Sequence, residues 1–148
     1  MQIYSGSLNV DEILSSWYAK SCDGKSGALV SFVGIVRDEG GISGLSFEIY
    51  KPLLKAWFKG WQERARTRGA EVFFAHSTGD VLIGQSSYVA AVKSPKRRVA
   101  LEMIDEFVED FKASAPIWKY DIINGEKIYA ATRSSALRSA GLLAKDDA

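Results

Sequence analysis

Two rhythms of apolar and polar residues alternate along this chain, and the switches between them mark out its elements. Met1 to Tyr4 reads as a short edge strand. A helix capped by Asn9 or Asp11 follows, with Ile13, Leu14, Trp17 and Tyr18 spaced to share one face. "GALVSFVGIV" (Gly27 to Val36) is a nearly unbroken apolar run with Val, Ile and Phe, which predicts a buried strand. The charged, glycine-rich "RDEGGISG" is a loop, and "LSFEIY" alternates as a half-buried strand does.

The second half repeats the alternation of helix and strand. Pro52 suits a first helical turn. Leu54, Trp57, Phe58, Trp61 and Ala65 supply the buried stripe of that helix, and Gly69 its stop. "EVFFAHS" and "SSYVAAVK" read as two strands joined through "TGDVLIGQ". Ser94 and Pro95 then open a long helix, with Val99, Met103, Phe107 and Phe111 in one row and Ala100, Ile104 and Val108 in the next. "IWKYDII" and "KIYAAT" form a hairpin around Asn124-Gly125, a strong turn signal. A short helix ends the chain. No repeat or linker interrupts the pattern, so residues 1–148 are expected to be one α+β domain with a mainly antiparallel sheet.

Composition narrows the function. The 148 residues are 47% hydrophobic and 25% charged, as in ordinary globular proteins, with a net charge of only +1. That balance argues against a nucleic-acid footprint, which needs a strongly basic face. One cysteine, Cys22, precludes an intrachain disulfide and fits a reducing cytoplasm. The N-terminus lacks the features of a signal peptide, and no apolar run reaches the roughly 18 residues of a membrane helix.

Several residues invite chemistry. "DGKSG" (Asp23 to Gly27) looks like the end of a phosphate-binding loop, but Ala19 stands where a glycine is needed and a strand follows, so it reads as a plain turn. Cys22 has no nearby histidine to activate it. His76, the one histidine, sits at a strand end and reads as a hydrogen-bonded structural residue; one histidine and one cysteine do not make a usual zinc site. Lys96, Arg97 and Arg98 begin the long helix, where its dipole disfavours cations by about 0.3–1 kcal/mol each. They are either solvated or, with free backbone N–H groups, an anion site. Arg37 ends a strand beside a glycine-rich loop, and Lys119 and Lys127 flank the hairpin turn. Together these cations predict a pocket for something anionic if the fold gathers them.

The order "GALVSFVGIVRDEG", "LSFEIY", "AHSTGDVLIGQSSYVAAVKSPKRRVAL" and "APIWKYDIINGEKIY" resembles the large, catalytic subunits of molybdopterin synthases, from about Gly27 to Arg133. The F-x-G-x-V-R, G-x-L-x-x-G and P-[IF]-W-K motifs are specific in combination. The resemblance implies an α/β hammerhead fold with an antiparallel sheet. It implies an enzyme that converts cyclic pyranopterin monophosphate (precursor Z) to molybdopterin by installing two dithiolene sulfurs. The sulfur donor is the C-terminal Gly-Gly thiocarboxylate of a small ubiquitin-like subunit. Two large subunits form a central dimer within a heterotetramer, and no cofactor is implied. By position, Lys119 matches the main catalytic lysine and Lys127 the second functional lysine region. Arg37 matches the arginine of V-R. Lys96 and Arg97 occupy the place of a His-Arg pair near the substrate, with Lys96 where a histidine is usual, and Arg133 or Arg138 of a second copy are candidates to complete the pocket. The other class of function open to these residues is a non-catalytic anion- or nucleotide-binding module.

Overall fold

The structure, a computed structural model, describes residues 1–130. Its elements run β1 (Gln2–Ser5), α1 (Val10–Ser21), β2 (Ala28–Ile35), β3 (Gly44–Ile49), α2 (Lys51–Thr67), β4 (Glu71–Leu82), β5 (Ser86–Ser94), α3 (Arg97–Ser114), β6 (Ile117–Ile123) and β7 (Glu126–Tyr129). The expected terminal helix, Arg133 and Arg138 lie outside the described residues. The strands share one sheet in the order β2-β5-β4-β3-β6-β7, and β1 adds in parallel to the middle of β4. All other pairings are antiparallel, which gives the mainly antiparallel α+β sheet that the pattern predicts.

β4 organises the sheet. Its first half pairs with β5 and its last residues, Gly79 to Leu82, pair with β3. The sequence suggests a connector over "TGDVLIGQ"; β4 instead continues to Leu82 and leaves only Ile83-Gly84-Gln85 as the connection to β5, with Gly79 at φ +81° absorbing a local distortion that other residues resist. At the far rim, Asn124 (φ +50°) and Gly125 (φ +78°) make the β6–β7 turn, because a two-residue hairpin of the right twist needs both residues left-handed.

Helices cover both faces. On one, Ile13 and Trp17 of α1 bury against Phe73, Ala75, Val89 and Ala91, with Trp17 stacked on Phe73 at 5.4 Å. Tyr18 is 65% exposed, so the apolar stripe of α1 is narrower than its spacing suggests. Asn9 is the cap, its side-chain oxygen accepting from the Glu12 N–H. On the other face α2 and α3 pack Leu54, Phe58, Trp61, Met103 and Phe107 onto Val72, Phe74, Ala90 and Val92. Truncating a fully buried ring such as Phe107 would cost about 3–5 kcal/mol.

α3 begins at Arg97, later than Ser94 and Pro95 suggest, because Ser94 still belongs to β5 and its hydroxyl accepts from the Lys96 N–H. The acids along α3 have partners on or next to α2: Asp110 accepts from the indole N–H groups of Trp57 and Trp61 at 3.0 and 2.8 Å, and Glu102 pairs with Arg68 at 2.7 Å. Packing between helices therefore overrides the dipole preference. The largest departure from expectation is β2. Its apolar run suits an interior strand, yet β2 stands at the rim, paired with β5 alone among the described strands, and Phe32 and Ile35 are 38% and 62% exposed.

Candidate active site

Where β2 runs out and α3 ends, the layers part around a cavity of about 300 Å³. Register decides which side chains enter it. Lys119 on β6 lies directly opposite Phe47 on β3, and directly opposed residues of an antiparallel pair share a face. Leu45, Phe47 and Lys119 all line the cavity, and Phe32, Gly34, Tyr88 and Phe111 complete its apolar wall. Arg37, Glu39, Glu109 and Lys112 add charge.

Aromatic packing makes the floor. Tyr88 stacks on Phe111 with ring centroids 4.1 Å apart and planes 15° from parallel. Gly34 explains how Tyr88 fits: a Cβ there would meet the Tyr88 Cβ at 3.1 Å and Cδ1 at 3.2 Å, so the glycine of F-x-G-x-V-R is a space requirement. The Tyr88 hydroxyl is buried, has no hydrogen-bond partner among the described residues, and is pushed up in pKa by burial.

His76 closes the cavity from beneath. It is 2% exposed, with the Phe47 ring edge-on at 4.9 Å and the Phe111 ring at 5.6 Å. Its Nδ1 lies 2.7 Å from the Ser77 carbonyl oxygen. A carbonyl only accepts, so Nδ1 carries the proton and Nε2 is bare. Burial, and then the positive charge of Lys119, lower the imidazole pKa from 6.5 to about 4, so the ring is neutral at physiological pH.

The predicted cations divide. Arg37 and Lys119 meet at the cavity. Arg37 is exposed and pairs with Glu39 at 2.6 Å, so an incoming anion must compete with that carboxylate. Lys127 does not join them. It is the register partner of Ile122, three residues beyond Lys119, and therefore projects from the opposite face of the sheet. There its ammonium lies 3.4 Å from Asp80, whose carboxyl is held below the usual carboxylate range first by the Ser46 hydroxyl. Lys96 and Arg97 sit at the start of α3, whereas Lys112 at the cavity is in its last turn; at about 1.5 Å of rise per residue Arg97 and Lys112 are about 22 Å apart. One chain cannot bring those two cations to an ion held by Lys119. Near the start of β2, Asp23 accepts from the backbone N–H groups of Lys25 and Ser26 at 2.9 and 2.7 Å, which makes "DGKSG" a turn.

Sequence reasoning missed Glu39, Tyr88, Glu109, Phe111 and Lys112 as cavity residues. Of these, Lys112 had a signal: it lies one helical turn before the P-I-W-K strand. For Tyr88 and Phe111 there was none, since their meeting depends on cross-strand and helix–sheet contact.

The sequence model of the family described as "MoaE protein" matches residues 4–114. The molybdopterin synthase catalytic subunit of Helicobacter pylori strain 26695 is 48% identical over 97% of this chain and 99% of its own length. Its namesake in Mycobacterium tuberculosis, catalytic subunit 1, is 32% identical over 76% of this chain and 77% of its own. Among solved structures, a complex of subunits 1 and 2 of the molybdopterin-converting factor of H. pylori contains a chain that superposes with a TM-score of 0.90 at 48% identity, covering 97% of this chain and 98% of that one. Molybdopterin synthase of Staphylococcus aureus has the same fold, with a TM-score of 0.75 at 22% identity, covering 86% of this chain and 94% of that one.

Proposed function

The chain belongs to the MoaE protein family, and we propose that it is the catalytic subunit of a molybdopterin synthase, the sulfurtransferase that turns cyclic pyranopterin monophosphate into molybdopterin. Sulfur comes from the thiocarboxylate at the Gly-Gly end of a small ubiquitin-like subunit, and two large subunits form the core of the heterotetramer. The observation that carries this reading is Lys119. In a chain with this likeness, the lysine after Pro116-Ile117-Trp118 stands in the wall of a cavity with Arg37 at its mouth.

The chemistry sets two anions, a cyclic phosphate and a thiocarboxylate, against each other. Fixed cations offset that repulsion and orient both partners, and they act more strongly in a site walled by Phe32, Phe47 and Phe111 than in water. Lys119 acts at the reacting centre, as acid and base or as a transient covalent anchor. Arg37 holds phosphate through its planar fork, giving up Glu39 to do so. Lys112 adds a third cation. Lys127, Lys96 and Arg97 serve the site only from outside this cavity, and a second copy of the chain is what would bring them to a substrate held by Lys119. Cys22, exposed and free, carries no sulfur, because the partner delivers it. No described helix is long and apolar enough to cross a membrane. A cytoplasmic location is part of the same proposal, on the strength of the free thiol.

Reconstitution tests this. The chain, a thiocarboxylated small subunit and cyclic pyranopterin monophosphate are expected to yield molybdopterin. Binding of both partners without product would overturn the enzymatic reading and leave a non-catalytic anion-binding module.

A further inference from the structure

We propose that His76 is a positioning residue for Lys119, its bare Nε2 and uncharged ring forming the polar seat against which the lysine amine is set. The inference rests on the reading in which Lys119 is the reacting group.

Three observations converge on it. Lys119 and His76 line one cavity, and Phe47, the register partner of Lys119, touches the imidazole edge-on at 4.9 Å. Lys119 and Phe47 are thus register partners across β6 and β3, and His76 on β4 touches the same phenylalanine and opens on the same cavity. The histidine is also fixed in a single useful state. Phe47, Phe74, Tyr88 and Phe111 pack around the ring, and the Ser77 carbonyl accepts a hydrogen bond from Nδ1–H, with the nitrogen 2.7 Å from the oxygen. The nitrogen left over is an acceptor. Finally, the two groups feel each other, since Lys119 contributes to lowering the imidazole pKa. The other charged groups lining the cavity are Arg37 and Glu39 from the loop after β2, and Glu109 and Lys112 from α3; β5 supplies the neutral Tyr88.

A purely structural histidine would need the Ser77 bond and the ring packing, and nothing more. A seat for an ammonium has further requirements. It must stay neutral, since an imidazolium beside Lys119 would drive the amine away, and it must offer a lone pair where a buried apolar ring offers none. His76 meets both conditions. A phenylalanine of similar size would preserve the packing and lose the seat, so the lysine would sample rotamers that miss the substrate.

Nitrogen-15 NMR of the whole chain tests the arrangement without turnover. Near pH 7, His76 is expected to show a protonated Nδ1 and an unprotonated Nε2, and in Lys119→Ala its titration midpoint should rise from about 4. In the reconstituted enzyme, His76→Phe should lower kcat by about 10–100-fold, with KM for the small subunit unchanged. His76→Gln, whose side-chain oxygen can stand in for Nε2, should recover part of the loss. A proton on Nε2, a midpoint indifferent to Lys119→Ala, or an unaltered kcat in His76→Phe each overturns the proposal. If the His76 variants do not fold, the two NMR measurements decide it alone. A wild-type chain that makes no molybdopterin defeats the functional reading instead, and leaves the NMR result to stand or fall by itself.

Discussion

Lys119 and Lys127 come from one hairpin, eight residues apart in sequence, and their surroundings differ in almost every respect. Lys119 faces inward, beside Phe47 and a buried imidazole, at the wall of a cavity. Lys127 faces outward, 56% exposed, against the carboxylate of Asp80. The difference is parity: β6 carries Lys119 on one face and Ile122, the partner of Lys127, on the other. Within one chain, proximity in a hairpin does not make two lysines one site. The inner lysine has an environment able to act on its chemistry, and the outer one an environment that fixes its position.

The comparison predicts unequal mutants. Lys119→Ala should cut molybdopterin formation by at least about 10²-fold, the scale of a lost acid–base group, while binding of the small subunit persists. Lys127→Ala should cost far less, and equal losses in the same assay would show that both lysines serve one centre. On stability the inner face again carries the larger effect. The unfolded chain takes up the His76 proton near pH 6.5 and the folded chain only near 4, so this contribution is complete above pH 6.5 and is lost as pH falls to 4. It amounts to about 3 kcal/mol, and urea titrations at pH 7 and pH 4.5 should show the loss in wild type and not in His76→Gln. Gly34→Ala, which places a methyl 3.1 Å from Tyr88, should destabilise by about 1–3 kcal/mol on thermal melting and reshape the cavity. Asp80→Asn on the outer face should change stability by at most about 1 kcal/mol, as exposed pairs do. Cys22→Ser should leave turnover unchanged.

Periodicity was enough to read the elements. Leu54, Phe58, Trp61 and Ala65 are buried as their spacing implies, and Asn124-Gly125 turns where its chemistry says. What resisted reading was decided by tertiary position. "GALVSFVGIV" has the composition of an interior strand, and composition does not say whether a neighbour lies on each side. "TGDVLIGQ" reads as a connector between two strands, whereas pairing with β3 carries β4 on to Leu82. Of the predicted cations, Arg37 and Lys119, read from motif and position, line one cavity. The separation of Lys127, Lys96 and Arg97 from them follows from strand parity and helix length, quantities that require register. A lone histidine reads as structural from sequence; its nearness to Lys119 shows only once Phe47, far from both in sequence, is known to be the register partner of Lys119 and an edge-on neighbour of the imidazole.

The rim position of β2 bears on how the protein behaves in a tube. An outermost strand that exposes Phe32 and Ile35 and leaves its outer backbone N–H and C=O groups without a described strand partner is a template for adding another strand. Concentrated by itself, the chain is expected to stack rim to rim, which light scattering at rising concentration would show. The irregularity between Gly34 and Ile35 limits how far a stack can zip, since an added strand loses step there. A lysine at position 31, already solvent-facing, is a simple solubilising change at that rim.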